Sequence, residues 1–199
     1  MTSDGLITGS DGNTRCGWPG ELPDYVAYHD TEWGVQVRTE SGLYEKLTLE
    51  GFQSGLSWLT ILRKRDRFRE VFADFDAGVV SGWGETDVLR LLGDAGIVRH
   101  RGKIESTINN AGAIMAMRAA GESLVDLIWS YAPPPRPRPT STGQVPAQTI
   151  ESKALAKDLK KRGFRFVGPT TAYALMQSQG LVDDHIEGCF VTPLAAPKT

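Results

Sequence analysis

Cysteine is scarce in this chain: two in 199 residues, with only three histidines beside them. So few thiols exclude a disulfide-built scaffold. Long apolar runs are missing too, none approaching the ~20 residues a bilayer-spanning helix needs, so no membrane partner is expected. The opening MTSDGLITGSDGNT has neither the basic segment nor the apolar core of an export signal, which predicts a cytoplasmic location. An excess of one charge is also absent: 22 Lys and Arg stand against 24 Asp and Glu, a net charge of −2. That balance argues against indiscriminate coating of nucleic acid. No alternating apolar run is long enough for a sheet, and no internal repeat is visible. With 40% hydrophobic residues, the expectation is an all-α, monomeric chain with one core. A single domain with two helical lobes is expected over 15–192, between a flexible polar tail at 1–14 and a short tail at 193–199.

The helical pattern begins near Ser41. Leu43, Leu47, Ser54 and Trp58 recur at helical intervals, broken by Gly55-Leu56-Ser57. Glycine suits the position just past a helix end and serine an N-cap, so two helices are predicted, over 41–54 and 58–72. Shorter helices are predicted over 85–92 and from Ser123 to Trp129, with a long stripe through Ile104, Ile108, Ala111 and Met115 between them. The segment PPPRPRPTSTGQVP, 133–146, cannot hold a helix because its prolines remove donors and fix φ; it is expected as a flexible loop. Thr149 caps a basic helix that stops at Gly163, and Pro169 opens another.

The scarce ligand residues fall into two distant pairs, Cys16 with His29 and His185 with Cys189. Thiolate and imidazole suit Zn²⁺, and two of each fill a tetrahedron, which describes a structural ion. The i, i+4 spacing of His185 and Cys189 puts both on one face of a helical turn. Spacing alone does not choose between zinc and two buried free thiols beside hydrogen-bonded histidines.

A second constellation is aromatic and acidic: Tyr25, Tyr28 and Trp33 around His29, then Glu50 and Trp58. Glu50 lies on an otherwise apolar helix face, with Gly51, Gln53 and Gly55 expected to leave space beside it. A carboxylate there is costly unless a ligand or donor satisfies it. Rings plus one carboxylate can hold a flat, electron-poor heterocycle. A third is Gly163-Phe164-Arg165-Phe166-Val167-Gly168-Pro169-Thr170-Thr171, a glycine-bounded turn feeding a helix N-terminus that offers N–H groups to an anion. Three basic clusters accompany it: Arg63 to Arg69, Arg99 to Lys103, and Lys153 to Arg165, the last holding Lys160, Lys161 and Arg162. Together they imply a confined surface for an anion.

These fragments closely resemble the 3-methyladenine DNA glycosylase I family. The likeness rests on Arg15-Cys16-Gly17-Trp18, Tyr25 to Gly34, Leu49-Glu50-Gly51, Gly55-Leu56-Ser57-Trp58, Asp94 to Lys103, Lys160 to Phe164 and Val182 to His185. The resemblance implies a helix-hairpin-helix glycosylase fold with one structural zinc on Cys16, His29, His185 and Cys189. It implies excision of 3-methyladenine from alkylated double-stranded DNA in base excision repair. Glu50 becomes the catalytic, base-contacting residue, Trp58 the stacking ring, and Tyr25, Tyr28 and Trp33 the pocket. Lys161, Arg162, Arg165, Gly168, Pro169 and Thr170 are then expected to meet DNA. Asp183 and Asp184, next to His185, are expected to orient that imidazole or its loop.

Overall fold

The computed structural model describes residues 5–192, and its regular secondary structure is almost wholly helical. Among those residues ten α-helices follow one another: α1 (Pro23–Thr31), α2 (Glu40–Gln53), α3 (Trp58–Leu62), α4 (Arg65–Val71), α5 (Ala77–Val80), α6 (Glu85–Leu92), α7 (Arg101–Ala119), α8 (Leu124–Trp129), α9 (Ile150–Lys161) and α10 (Pro169–Ser178). Side-chain caps set several of their starts. Thr39 accepts from the N–H of Gly42, Ser57 from Thr60, Ser123 from Asp126 and Thr149 from Ser152. His100 caps α7 by accepting from Lys103 N at 3.2 Å. Gly55 and Gly163 end α2 and α9 with φ of 82° and 90°, which glycine enters without steric cost.

The helix expected over 58–72 is broken at Arg63 and Lys64 into α3 and α4. At the break the Lys64 ammonium donates to the Ala95 carbonyl at 2.8 Å, tying the corner to the turn after α6.

α2 is the central element; α3, α7, α8 and α10 pack against it, and α9 packs on α10. Its C-terminal carbonyls are capped from outside: Lys103 of α7 donates to Phe52 O at 2.9 Å and Ser54 O at 2.7 Å. Tyr44, also on α2, donates to Thr107 O at 2.8 Å. These hydrogen bonds fix α2's height against α7, and Lys46 and Glu50 are carried with it into the interior.

The expectation of a tail over 1–14 needs correction for residues 5–14. Leu6–Thr8 (β1) pairs antiparallel with Thr14–Cys16 (β2), Leu6 opposite Cys16, in a two-stranded hairpin. Three residues per strand are too few to leave a readable alternation. The hairpin is held by Leu6, which packs against Cys16, Ile186, Cys189 and Val191, and by Arg15, which donates to Asp11 at 2.7 Å and Asp30 at 2.9 Å. Residues 1–4 and the tail expected at 193–199 lie outside the described residues.

The 133–146 segment is non-helical apart from a 3-10 turn at Thr142–Gln144, and it is anchored rather than free. Arg136 donates to Asp184 at 2.6 Å, and Arg138 to Asp183 at 2.7 Å and to Val191 O at 2.7 Å. The prolines prevent a helix; the two arginines between them dock the segment on the C-terminal loop.

Candidate functional site

The two ligand pairs meet. Cys16 ends β2, His29 lies in the last turn of α1, and His185 and Cys189 come from the loop after α10; all four are buried. Their donor atoms lie within 4.8 Å of one another, so the group could hold a metal ion. His185 Nδ1 is 3.6 Å from Cys189 Sγ and 3.8 Å from Cys16 Sγ, while His29 Nε2 is 3.7 Å from Cys189 Sγ. The outer ring nitrogens face acceptors: His29 Nδ1 lies 2.7 Å from Asp30 Oδ1, and His185 Nε2 lies 3.3 Å from the Trp33 carbonyl. A carboxylate or carbonyl can only accept, so each outer nitrogen carries the proton and each inner one presents a lone pair to the sulfurs. The sulfurs are unequal: the neighbouring sulfur and burial raise the Cys16 thiol, while Cys16 beside it lowers Cys189 against burial.

Two glycines permit this approach. A Cβ on Gly34 would sit 3.1 Å from His185 Nε2, and one on Gly180 would sit 2.5 Å from Gly34 O. Of the aspartates expected to support His185, Asp183 does so through the backbone, accepting from His185 N at 3.2 Å. Asp184 is buried elsewhere, accepting from Tyr173 at 2.6 Å and Gln177 at 2.8 Å, besides Arg136.

Beside this cluster opens a cavity of about 260 Å³, and the five residues expected to form a pocket, Tyr25, Tyr28, Trp33, Glu50 and Trp58, all line it. Tyr28 and Trp58 stand 5.4 Å apart, centroid to centroid, at 43°. Trp33 spans both sites, its ring 4.7 Å from that of His185. Glu50 is 6% exposed, and its Oε1 lies 3.0 Å from the Nζ of Lys46, one helical turn earlier and equally buried. Burial, then the Glu50 charge, pushes the hydroxyls of Tyr28 and Tyr25 up, so both are neutral donors at physiological pH.

The methyladenine glycosylase family model matches residues 18–192 of this sequence. The chain belongs to that family. It is 49% identical over 181 residues to DNA-3-methyladenine glycosylase 1 of Escherichia coli, covering 90% of this chain and 97% of that protein. A crystal structure of a 3-methyladenine DNA glycosylase I superposes with a TM-score of 0.87 at 49% identity, covering 90% of this chain and all of that one (100%). The Staphylococcus aureus 3-methyladenine DNA glycosylase I, solved to explain 3-methyladenine recognition, gives 0.85 at 34% identity over 91% of this chain and 97% of its own.

On this methyladenine glycosylase family member the basic clusters divide. Of the residues expected to meet DNA, Lys161, Arg165 and Thr170 are exposed around the α9–α10 turn, and Gly168 and Pro169 begin α10 with no side-chain cap on its N–H groups. Arg162 differs, being paired with Glu122 and with Asp158. The other two clusters are mostly paired or buried, Arg99 remaining exposed. Arg63, Arg65, Arg67 and Arg69 pair with Asp24, Glu32, Asp94 and Glu45, Arg101 pairs with Glu85, and Lys103 is buried. Linear charge runs do not reveal partners supplied by other helices.

The glycines beside Glu50 also act differently from expectation. A Cβ on Gly51 would meet Phe166 Cβ at 3.4 Å, so Gly51 admits the α9–α10 turn against α2 rather than opening the cavity. Gln53 does line the cavity. Sequence reading assigned no role to Trp18, whose ring stands 4.9 Å from Tyr25 and 5.3 Å from both His29 and Trp33. Its place two residues after Cys16 was the available signal. Lys46 was missed as well; its signal was a cation four residues before Glu50 on an apolar face.

Proposed function

We propose that this chain is a monomeric DNA glycosylase that turns a 3-methyladenine nucleotide out of alkylated double-stranded DNA and hydrolyses its glycosidic bond. The observation that carries the reading is the buried carboxylate of Glu50 at the wall of an aromatic cavity, in a chain of this family. A base stacked in a duplex hides its glycosidic bond, so the nucleotide is flipped at a cost of a few kcal/mol. Adenine methylated at N3 in DNA carries a positive charge and leaves with little protonation. Recognition therefore carries most of the selectivity. Glu50 accepts N–H groups of the base, Trp58 offers a π face to the cation, and Tyr25, Tyr28 and Trp33 complete the wall.

Zn²⁺ fits the Cys16, His29, His185 and Cys189 cluster. Bonds of ~2.3 Å to sulfur and ~2.0 Å to nitrogen at tetrahedral angles separate the two donors by about 3.5 Å, near the separations found here. Four protein donors leave no place for water, so the ion would supply cross-linking rather than catalysis. Bound there, it would tie β2 and α1 to the C-terminal loop and so brace the Trp18, Tyr28 and Trp33 wall.

The α9–α10 pair serves as a helix-hairpin-helix clamp on DNA. The uncapped start of α10, at Gly168, Pro169 and Thr170, receives a backbone phosphate, with Lys161 and Arg165 beside it. Arg162 belongs to the same turn, and its paired carboxylates place it in support of Lys161 rather than in front. Gly51 against Phe166 couples this clamp to the helix that carries Glu50.

Among the described residues no lysine lines the cavity, which favours simple hydrolysis over a Schiff-base lyase step. Methylated duplex treated with the protein should break only after alkali. Breaks appearing without alkali contradict the hydrolytic reading.

A further inference from the structure

Lys46 sits behind the cavity rather than in it, and its ammonium is fully engaged. Nζ lies 3.0 Å from Glu50 Oε1, 2.8 Å from the Tyr28 hydroxyl oxygen and 3.3 Å from the centre of the Trp58 ring. An ammonium has three donors and no acceptor, so these three partners account for all of them. The same three residues are the ones assigned above to hold the base.

The consequence lies in the Tyr28 hydroxyl. Because Lys46 can only donate, the Tyr28 oxygen must accept, and the phenolic proton points elsewhere. Among the described residues that proton meets no acceptor. It is a spare donor at the wall of the cavity. Glu50 beside it is an acceptor. One donor next to one acceptor matches an amino group beside an unsubstituted ring nitrogen, the pattern adenine carries on its N6 edge.

We propose that Lys46 is a positioning residue for base recognition: its ammonium aims the Tyr28 hydroxyl into the cavity as a donor and seats the Glu50 carboxylate as an acceptor. This rests on the glycosylase reading. Loss of the Lys46 proton reverses the arrangement. A neutral amine can accept, the Tyr28 O–H then turns back to it, and the base loses a partner.

The groups around Lys46 set where that happens. Glu50 faces it on α2, Tyr28 from α1, Glu32 from just past the end of α1, Arg65 from α4, and the Trp58 ring from α3; Arg65 is itself paired with Glu32 at 2.9 Å. Burial lowers the Lys46 pKa from the ordinary lysine value, and the Glu50 charge opposes that without cancelling it. Burial, helped by the Glu50 charge, raises both tyrosine hydroxyls above the ordinary phenol value.

The test is the pH dependence of kcat/KM for release of 3-methyladenine from methylated duplex by wild type and Lys46→Met, with tryptophan emission followed over the same range. Wild type should lose activity along an alkaline limb below the ~10.4 of an ordinary lysine. Its emission should change along the same limb, and Trp58→Phe should lack that change. Lys46→Met should be lower by about tenfold or more on the plateau, as expected for hydrogen bonds to charged groups, and should have no such limb. A limb retained in Lys46→Met, or a wild-type profile without one, overturns the role. If Lys46→Met does not fold, the wild-type profile and emission decide alone. If no base is released at all while the emission limb is present, the glycosylase reading fails and the ammonium's seat stands.

Discussion

His29 Nε2 and Cys189 Sγ lie 3.7 Å apart although 160 positions separate them in the chain. No helix or strand joins them. The pairing exists because the β2–α1 segment and the loop after α10 converge on Cys16, His29, His185 and Cys189. If a zinc ion closes this tetrahedron, the purified protein should carry one per chain, and X-ray absorption should report two sulfur and two imidazole neighbours with no exchangeable oxygen. An exchangeable oxygen would instead mark a catalytic metal. Chelation should lower Tm by on the order of 10 °C, because binding energy at such a site is folding energy and ~1 kcal/mol moves a domain of this size by about 2–4 °C.

Glu50→Gln keeps the shape of the side chain and removes its charge. Release of 3-methyladenine should fall by about 10- to 100-fold, the range for losing hydrogen bonds to a charged acceptor. Binding of undamaged duplex should stay the same, since Glu50 is buried at the cavity wall. Equal rates of release by the two proteins would remove Glu50 from recognition.

Lys160 and Lys161 are exposed at the end of α9, and Lys160 lines a shallow hollow with Ser54, Phe166 and Gly168. Neutralising both should weaken binding of damaged and undamaged duplex alike and reduce its salt slope by about 1 for each phosphate that is no longer neutralised. A loss confined to damaged duplex would place these lysines in base recognition instead. Arg162→Ala, which removes a cation already paired with Glu122 and Asp158, should change that slope less than either lysine.

Much of this was legible in the sequence because its signals are local. Caps at Ser57, Ser123 and Thr149 and stops at Gly55 and Gly163 depend on neighbours within four residues, and the structure places helix ends at each. The pocket residues were legible for another reason: a carboxylate such as Glu50 on an apolar face demands a partner wherever the fold puts it. What escaped was pairing over distance. Arg65 with Glu32, Lys103 on the end of α2, and Arg138 on the C-terminal loop each take a residue read as free charge or loop and give it a partner from another element. The β1–β2 hairpin escaped because its strands are too short for periodicity and are held by side chains more than 160 residues away, such as Ile186 and Cys189. Lys46 combined both difficulties: its partners Tyr28 and Trp58 come from two other helices.

The central claim is that this cavity excises 3-methyladenine, and chromatography of the bases freed from methylated duplex DNA tests it most directly. The account predicts that wild type releases 3-methyladenine well ahead of unmodified adenine, and that Glu50→Gln releases it far more slowly from the same DNA. Release of no methylated base, or of adenine and 3-methyladenine at equal rates, would contradict it.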